Sequence, residues 1–293
     1  MEKDKVSLTA DNVSVIYSNG FTAIRDISFE LRSGTICALI GVNGGGKSTL
    51  FKSIMGLVKL STGSIILLGL KVKEALKNNH VAYVPQSEDI DWDFPILVKE
   101  VVMQGRYSFM NFLRYPSARD KEVVTSAMER MGVNNLKNRQ IGELSGGQRK
   151  RVFLARALAQ KSKIILLDEP FTGVDFTTEN TIMELLLELK QENHLILVST
   201  HNLGSIPEYC NEVIFINRTI IGCGDLESTF TQSNLEATFG GVLKRFGILS
   251  NTPKQENSKQ SFTIISDHER PAVFHVSKTQ GSSLIRNGEY TDA

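Results

Sequence analysis

The 293-residue chain is poor in the features that mark secreted, membrane-spanning and nucleic-acid-coating proteins. It has three cysteines, Cys37, Cys210 and Cys223, far apart and with no Cys-x-x-Cys pair. That excludes a disulfide scaffold or a cysteine zinc site and fits a reducing compartment. No apolar run approaches the ~18 residues of a membrane span; Ile65–Leu68 is typical of the longest. The opening Met1-Glu2-Lys3-Asp4-Lys5 is charged and leads into no apolar segment, so no secretory leader is expected. Neither sign of charge is in surplus: 33 Lys+Arg against 32 Asp+Glu leave +1. A protein that coats nucleic acid needs a large basic excess, so no nucleic-acid partner is expected. A soluble cytoplasmic protein is the expectation, long enough for one large domain or two small ones.

What is present is an alternation of strands and helices. Val13–Tyr17 and Ile27–Leu31 carry alternating apolar positions on either side of a turn at Asn19-Gly20, a pattern of paired strands. Thr35–Ile40 is a short apolar run of the kind found in a buried central strand. It ends in a glycine cluster followed by a helix-competent stretch, Lys47–Leu57. Gly63–Gly69 and Val81–Pro85 are further strand candidates. Residues 98–140 change character, with helical periodicity in Val98–Met103 and Asp120–Met131. A second series then begins: strands at Ile164–Leu167, Leu195–Ser199 and Val213–Ile216, and a helix near Thr177–Gln191. The expectation is an α/β core with a mostly parallel central sheet, interrupted by a helical insertion at about 90–145. From about 250 to 293 the composition turns to Ser, Asn, Gln, Lys and Thr. That tail is expected to be mobile, although Phe262–Ile265 and Ala272–Phe274 have the character to pair locally.

Gly41-Val42-Asn43-Gly44-Gly45-Gly46-Lys47-Ser48-Thr49 fits G-x-x-x-x-G-K-[ST] between a buried strand and a helix. Glycines there let backbone N–H groups turn inward as an anion nest, and the helix start adds partial positive charge. Lys47 is placed to reach nucleotide β- and γ-phosphates, and the Ser48 hydroxyl to join a Mg²⁺ shell. Ile164-Ile165-Leu166-Leu167-Asp168-Glu169 delivers two carboxylates at the end of a buried strand. Asp168 is expected to hold Mg²⁺ through water and Glu169 to act as general base on the attacking water.

Leu144-Ser145-Gly146-Gly147-Gln148, ahead of the acidic strand and leading into Arg149–Leu158, presents a hydroxyl and bare N–H groups at a second helix start. This segment resembles the signature of the ATP-binding cassette (ABC) family, and the resemblance covers roughly residues 6–247. It implies a P-loop NTPase core, an N-terminal antiparallel β subdomain, a helical insertion subdomain and MgATP as ligand. It also implies a head-to-tail dimer in which Ser145, Gly146, Gly147 and Gln148 serve the nucleotide of the opposing copy. On the same ground Tyr17 matches the aromatic that stacks on adenine, Gln86 the glutamine near Mg²⁺ and the attacking water, and His201 the histidine at the γ-phosphate. Asp175 matches the loop aspartate that crosses to the partner. Three departures are small: Gly45 stands for a common alanine and is expected still to admit phosphate, Asn202 for an aspartate, and Gly173-Val174 for Ala-Leu.

One phosphate loop, one signature and no membrane span imply a homodimer or a paired cassette subunit. If the chain powers transport, it must borrow a separate polytopic membrane permease, which would place it at the inner face of the cell membrane. That architecture resembles bacterial importers, and the resemblance implies, indirectly, an extracytoplasmic metal-binding protein. Trp92, Phe94, Tyr107, Phe109, Phe112 and Tyr115 cluster in the insertion, which suits both a local core and a docking surface. Asp91–Pro95, Val101–Tyr107, Phe171–Asp175 and Phe239–Gly241 are similar to the branch that imports manganese, iron or zinc. Another cargo, or a soluble cassette ATPase acting on nucleic acid or ribosomes, is the alternative.

Overall fold

The structure, a computed structural model, describes residues 5–86 and 94–240 with their side chains. Beyond these it describes the backbone of strands 244–249, 261–266, 272–276 and 283–284. Asp91, Trp92, Asp93, Gly241 and the remainder of the polar tail lie outside the described residues.

The chain begins with an antiparallel hairpin, β1 (Val6–Ile16) and β2 (Thr22–Arg32). Its turn closes through Gly20 N–H to the Tyr17 carbonyl at 2.9 Å. Both strands run further than their alternating windows suggest. The register slips between Ala10 and Val13, with Asn12 at φ +48° and Asp26 at φ +50°; such bulges break the two-residue period that a pattern search follows. β4 (Thr62–Leu67) adds to the free side of β1, and β5 (Leu70–Lys71) completes the sheet in the order β2-β1-β4-β5.

The central sheet runs β10-β9-β3-β8-β7-β6. β3 (Thr35–Ile40), β6 (Val81–Val84), β7 (Ile164–Asp168), β8 (Leu195–Ser199) and β9 (Glu212–Asn217) are parallel. β10 (Thr219–Asp225) is antiparallel at the edge. Every residue of β3, β7 and β8 is buried, the reason these segments read as unbroken apolar runs. Ile36, Ala38 and Ile40 face a core built with the helices. Cys37 and Leu39 face the other side, with β1, β2 and α1 (Lys47–Ile54).

Helix α1 stops three residues before the expected Leu57. Gly56 at φ +63° donates to the Ser53 carbonyl, and Leu57 N–H reaches back to Lys52. This is the paired C-terminal closure that a left-handed glycine permits. α2 (Val72–Lys77) leads to β6; α6 (Phe176–Gln191) links β7 to β8. α3 (Val98–Met103) and α4 (Ala118–Arg130) pack on α5 (Gly146–Ala159), so the helical layer includes the helix that the signature opens. After β8 come α7 (Ile206–Tyr209), α8 (Leu226–Thr229) and α9 (Gln232–Phe239).

In the tail, β11 (Lys244–Leu249), β12 (Ser261–Ser266), β13 (Ala272–Val276) and β14 (Ser283–Leu284) form an antiparallel sheet in chain order. Phe262 lies opposite His275 and Ile264 opposite Val273. The two segments singled out for local pairing do pair, and β11 crosses the boundary expected near 247.

The insertion is pinned by one buried ion pair. Arg106 Nε donates to Asp120 Oδ1 at 3.0 Å, both side chains being 7% exposed, and Arg106 Nη1 donates to the Ala159 carbonyl at 3.1 Å. Asp120 also receives the Ser117 hydroxyl at 2.6 Å in a reciprocal cap of α4. The Ser117 hydrogen bond first, with Arg106 adding, holds the Asp120 carboxyl below its usual range. Removing one partner of a buried pair strands the other charge. Arg106→Met is therefore expected to lower stability by about 3–5 kcal/mol at neutral pH. The deficit should shrink in acid: a depressed carboxyl stabilises above its unfolded-state pKa and loses that contribution as pH falls through the folded-state value. Urea midpoints at neutral and acidic pH test this; an unchanged midpoint at pH 7 would overturn it.

Candidate functional site

The parallel register brings four strand ends to one edge of the sheet. Leu39 and Asp168 both pair with Ser199, and Val84 pairs with Leu167. Gly41 therefore follows β3, Gln86 follows β6, Asp168-Glu169 closes β7 and His201 follows β8 at that edge, where open α/β sheets bind ligands.

The loop Gly41–Gly46 turns tightly into α1. Gly46 sits at φ +103°, and a Cβ there would fall 2.5 Å from Ile24 Cγ2. At Gly45 a Cβ would meet the Val42 carbonyl at 2.9 Å and the Ile216 carbonyl at 3.1 Å. The glycine that stands for a common alanine is thus required by this loop's own packing. The Gly45 amide donates to Val42, and its carbonyl accepts from Arg218 N–H at 2.7 Å. α1 starts with no side-chain cap and no acidic residue in its first turn, leaving its first amides for an anion. Lys47 is 6% exposed, its Nζ donating to the Gly41 carbonyl at 2.6 Å and the Val42 carbonyl at 3.4 Å. Asn43, Gly44 and Ser48 are exposed on the rim. Tyr17, just past β1, places its hydroxyl 3.2 Å from Thr49 Oγ1. Glycine cradle, uncapped helix start and ammonium together fit a polyphosphate.

At the end of β7 the two acids diverge. Asp168, 6% exposed, accepts from Ser199 Oγ at 2.5 Å and from the Tyr83 hydroxyl at 3.4 Å. Glu169 stands at φ +50°, a left-handed conformation uncommon outside glycine. Its Oε1 lies 2.5 Å from His201 Nε2, and its Oε2 accepts from Gln86 Nε2 at 2.5 Å and Thr172 Oγ1 at 3.3 Å. The His201 hydrogen bond is the main reason the Glu169 carboxyl is held below its ordinary value, against burial, which pushes it up.

Ser145 caps α5 reciprocally with Gln148: Ser145 Oγ accepts from Gln148 N–H at 3.3 Å, and Ser145 N–H donates to Gln148 Oε1 at 3.0 Å. Ser145 and Gly146 remain exposed, while Gly147 is buried. Asp175 caps α6, accepting from Thr178 N–H at 2.8 Å, and this bond holds its carboxyl below the usual range. Gln86, Lys47, Asp168, Glu169 and His201 thus gather at one place, whereas the signature and Asp175 begin two other helices. Asn202 lies just beyond His201, its Nδ2 donating to Glu179 Oε1 at 3.4 Å.

Four further participants emerge: Ser199, Tyr83, Thr172 and Lys150. Ser199 and Tyr83 act through strand register, which no local pattern carries. Lys150 enters by donating to the Glu169 carbonyl at 3.0 Å; in the sequence it is one residue of the Arg149–Leu158 stretch after the signature, with no local pattern that marks it.

Strand-end carboxylates beside a glycine phosphate cradle on a parallel sheet define a nucleotide-hydrolysing cassette. Comparison with known proteins agrees. The ABC transporter family model matches residues 24–172. The chelated iron transport system membrane protein YfeB of Yersinia pestis is 61% identical over 268 residues, 92% of this chain and 90% of that one. The manganese transport system ATP-binding protein MntA of Synechocystis is 53% identical over 238 residues, covering 81% and 92%. Among solved structures, a chain described as from an inward-facing metal-chelate type ABC transporter superposes with TM-score 0.73 at 26% identity, over 94% of this chain and 99% of that one. The chain belongs to the ABC transporter family and is one of its ATPase cassettes.

Removing the His201 hydrogen bond should let burial dominate at Glu169. In His201→Ala the Glu169 carboxyl is expected to titrate at higher pH than in the parent, read by carbon-detected NMR of side-chain carboxyls. An equal or lower midpoint would contradict the assignment of cause.

Proposed function

We propose that the chain is the ATP-hydrolysing subunit of a bacterial importer for iron, manganese or zinc. The observation that carries the chemistry is the convergence of Lys47, Asp168, Glu169, Gln86 and His201 beside the Gly41–Gly46 loop. The names of the relatives carry the cargo class: chelated iron and manganese above, and zinc for the Treponema pallidum ATP-binding protein TroB, 42% identical over 216 residues.

In this reading the loop amides, with Lys47, Ser48 and Thr49, take the phosphates, and Tyr17 stacks on the base. Among the described residues no group of three or more His, Cys, Asp or Glu could hold a metal ion unaided. Ser48 and Gln86, with Asp168 through water, would hold a Mg²⁺ that arrives with nucleotide oxygens, as this hard, strongly hydrated cation usually does. When bound, Mg²⁺ neutralises phosphate charge. Glu169 takes the proton of the attacking water, and its depressed pKa keeps it ionised for that task. His201 orients the terminal phosphate. His201 engages Oε1 while Gln86 and Thr172 share Oε2, so Oε1 retains acceptor capacity for a water. Gln86 lies on the connection from β6 to the insertion, so movement of the insertion would set its position.

Ser145, Gly146, Gly147 and Gln148 serve the nucleotide of a second copy, head to tail, and Asp175 crosses the interface. Among the described residues no helix is long and apolar enough to cross a membrane. Attachment at the inner membrane face then needs a polytopic permease, fed from outside by a metal-binding protein. Phe109, Phe112 and Tyr115 are 46%, 97% and 71% exposed on the insertion and offer the permease an apolar contact. Residues 6–247 form the cassette in this reading, with 250–293 an appended segment.

Glu169→Gln is expected to keep ATP affinity and to lower hydrolysis by about 10²–10⁴-fold, the usual weight of a general base; normal turnover would remove Glu169 from that role. Cells carrying Lys47→Ala in a strain without backup uptake should lose manganese, iron or zinc, read by element-resolved mass spectrometry. A rise would mean export, and no change would remove the metal reading.

A further inference from the structure

The backbone of Glu169 is held from two directions. Its N–H donates to Ser199, to Oγ at 3.0 Å and to the carbonyl at 3.2 Å. That hold belongs to the sheet. Its carbonyl accepts from Lys150 Nζ at 3.0 Å and, within the turn itself, from the Thr172 N–H at 3.3 Å; the same ammonium donates to the carbonyl of Thr172. This second hold comes from α5, the helix that Leu144-Ser145-Gly146-Gly147-Gln148 opens, and spans 19 residues of chain. Thr172 is not a bystander, because its hydroxyl touches the Glu169 carboxylate. A cavity of about 270 Å³, lined by Gln86, Gly146, Lys150, Phe153, Glu169 and Pro170 among others, lies where α5 faces the ends of β6 and β7. Lys150 and its target thus share one wall.

We infer that Lys150 is a positioning residue for hydrolysis: its ammonium fixes the left-handed turn at Glu169 and the hydroxyl of Thr172, making the aim of the carboxylate depend on where α5 stands. The physical need is clear. A non-glycine residue in this conformation is costly and persists only where its surroundings over-determine it. The Ser199 hold fixes the amide; the carbonyl closes the turn onto the Thr172 N–H through a long bond of 3.3 Å, and the shorter, charge-assisted bond from Lys150 reinforces it. An ammonium bridging two carbonyls makes charge-assisted bonds, stronger than neutral ones. Partial burial lowers the Lys150 pKa, with the Glu169 charge opposing the shift; this is the mark of an amine drawn inward rather than left on a solvated face. If α5 shifts relative to β7 when its N-terminus engages a second copy's nucleotide, the carbonyls held by Lys150 shift or are released. Signature engagement and base placement then become one event.

The inference rests on Glu169 as base, and a double-mutant cycle in the full chain separates the two. Lys150→Met is expected to lower kcat by about tenfold to a hundredfold, the scale of a misaimed catalytic group. The dissociation constant for ATP should stay within about twofold, since uniform binding is untouched. Placed on Glu169→Gln, the same change should cost no further activity, because groups acting through one another are non-additive. A merely structural role would reduce both backgrounds equally and overturn the inference, as would parental kcat in Lys150→Met. Lys150→Arg, which retains a donor cation, should recover most of the rate; its failure to exceed Lys150→Met would also count against it. Should Lys150→Met not fold, Lys150→Gln takes its place in the cycle. If instead Glu169→Gln hydrolyses normally, the base assignment itself fails whatever Lys150 does.

Discussion

Ser199, fully buried at the end of β8, is the side chain on which the catalytic edge depends. Its hydroxyl donates to Asp168 Oδ1 and accepts from Glu169 N–H, so one atom spaces two consecutive acids and turns them to different tasks. The arrangement is available only because β7 and β8 run parallel with Asp168 beside Ser199. In that low-dielectric position an unpaired Asp168 would be expensive. The ladder therefore sets the chemistry as well as the fold: a one-residue slip would turn Ser199 to the opposite face and leave Asp168 without its donor.

The strands of the central sheet were legible where both faces are buried. Thr35–Ile40 and Leu195–Ser199 match the structure residue for residue, because an apolar run bounded by turns is the direct signature of such a strand. β10 was not legible. Thr219–Asp225 is only half buried and carries Gly222, Cys223 and Gly224, so neither alternation nor an apolar run survives. The short helices after β8 fell below the length at which helical periodicity can be recognised. In the hairpin, bulges at Asn12 and Asp26 hid continuity that hydrogen bonding preserves.

The site divides along the same line. Residues in fixed spacing, Gly41–Thr49, Asp168-Glu169 and Leu144–Gln148, were readable because backbone geometry demands particular residue types at particular intervals. Tyr83, Thr172, Lys150 and Ser199 were not, since each acts through contacts that only tertiary placement creates. Lys150 is the sharpest case. Flanked by Arg149 and Arg151, it has no local pattern that marks it, yet Arg149 reaches the Gly142 carbonyl at 2.7 Å and Lys150 the Glu169 carbonyl. Neighbours in sequence serve opposite ends of the helix's surroundings because successive residues on a helix point about 100° apart.

Two lysines in this structure perform the same elementary act, holding main-chain carbonyls, with opposite consequences. Lys47 clasps Gly41 and Val42, neutral acceptors inside the loop that it also helps to shape. A phosphate oxygen is a stronger acceptor than a carbonyl because it is charged, so that clasp is exchangeable, and the loop keeps its form through Gly45's bonds to Val42 and Arg218. Among the described residues the anionic group nearest the carbonyls held by Lys150 is the Glu169 carboxylate, itself engaged by His201, Gln86 and Thr172. The bonds of Lys150 therefore change with the displacement of a helix rather than with the arrival of an anion. One ammonium responds to ligand and the other to conformation, and Glu169 lies within reach of both influences, since Lys47 contributes to its depressed pKa while Lys150 holds its carbonyl. On the proposed reading of Glu169 as base and Lys150 as its positioning residue, such a base would become competent only when phosphate occupies the loop and α5 holds the carbonyl in place, the logic required of an engine that must not turn over with either half missing.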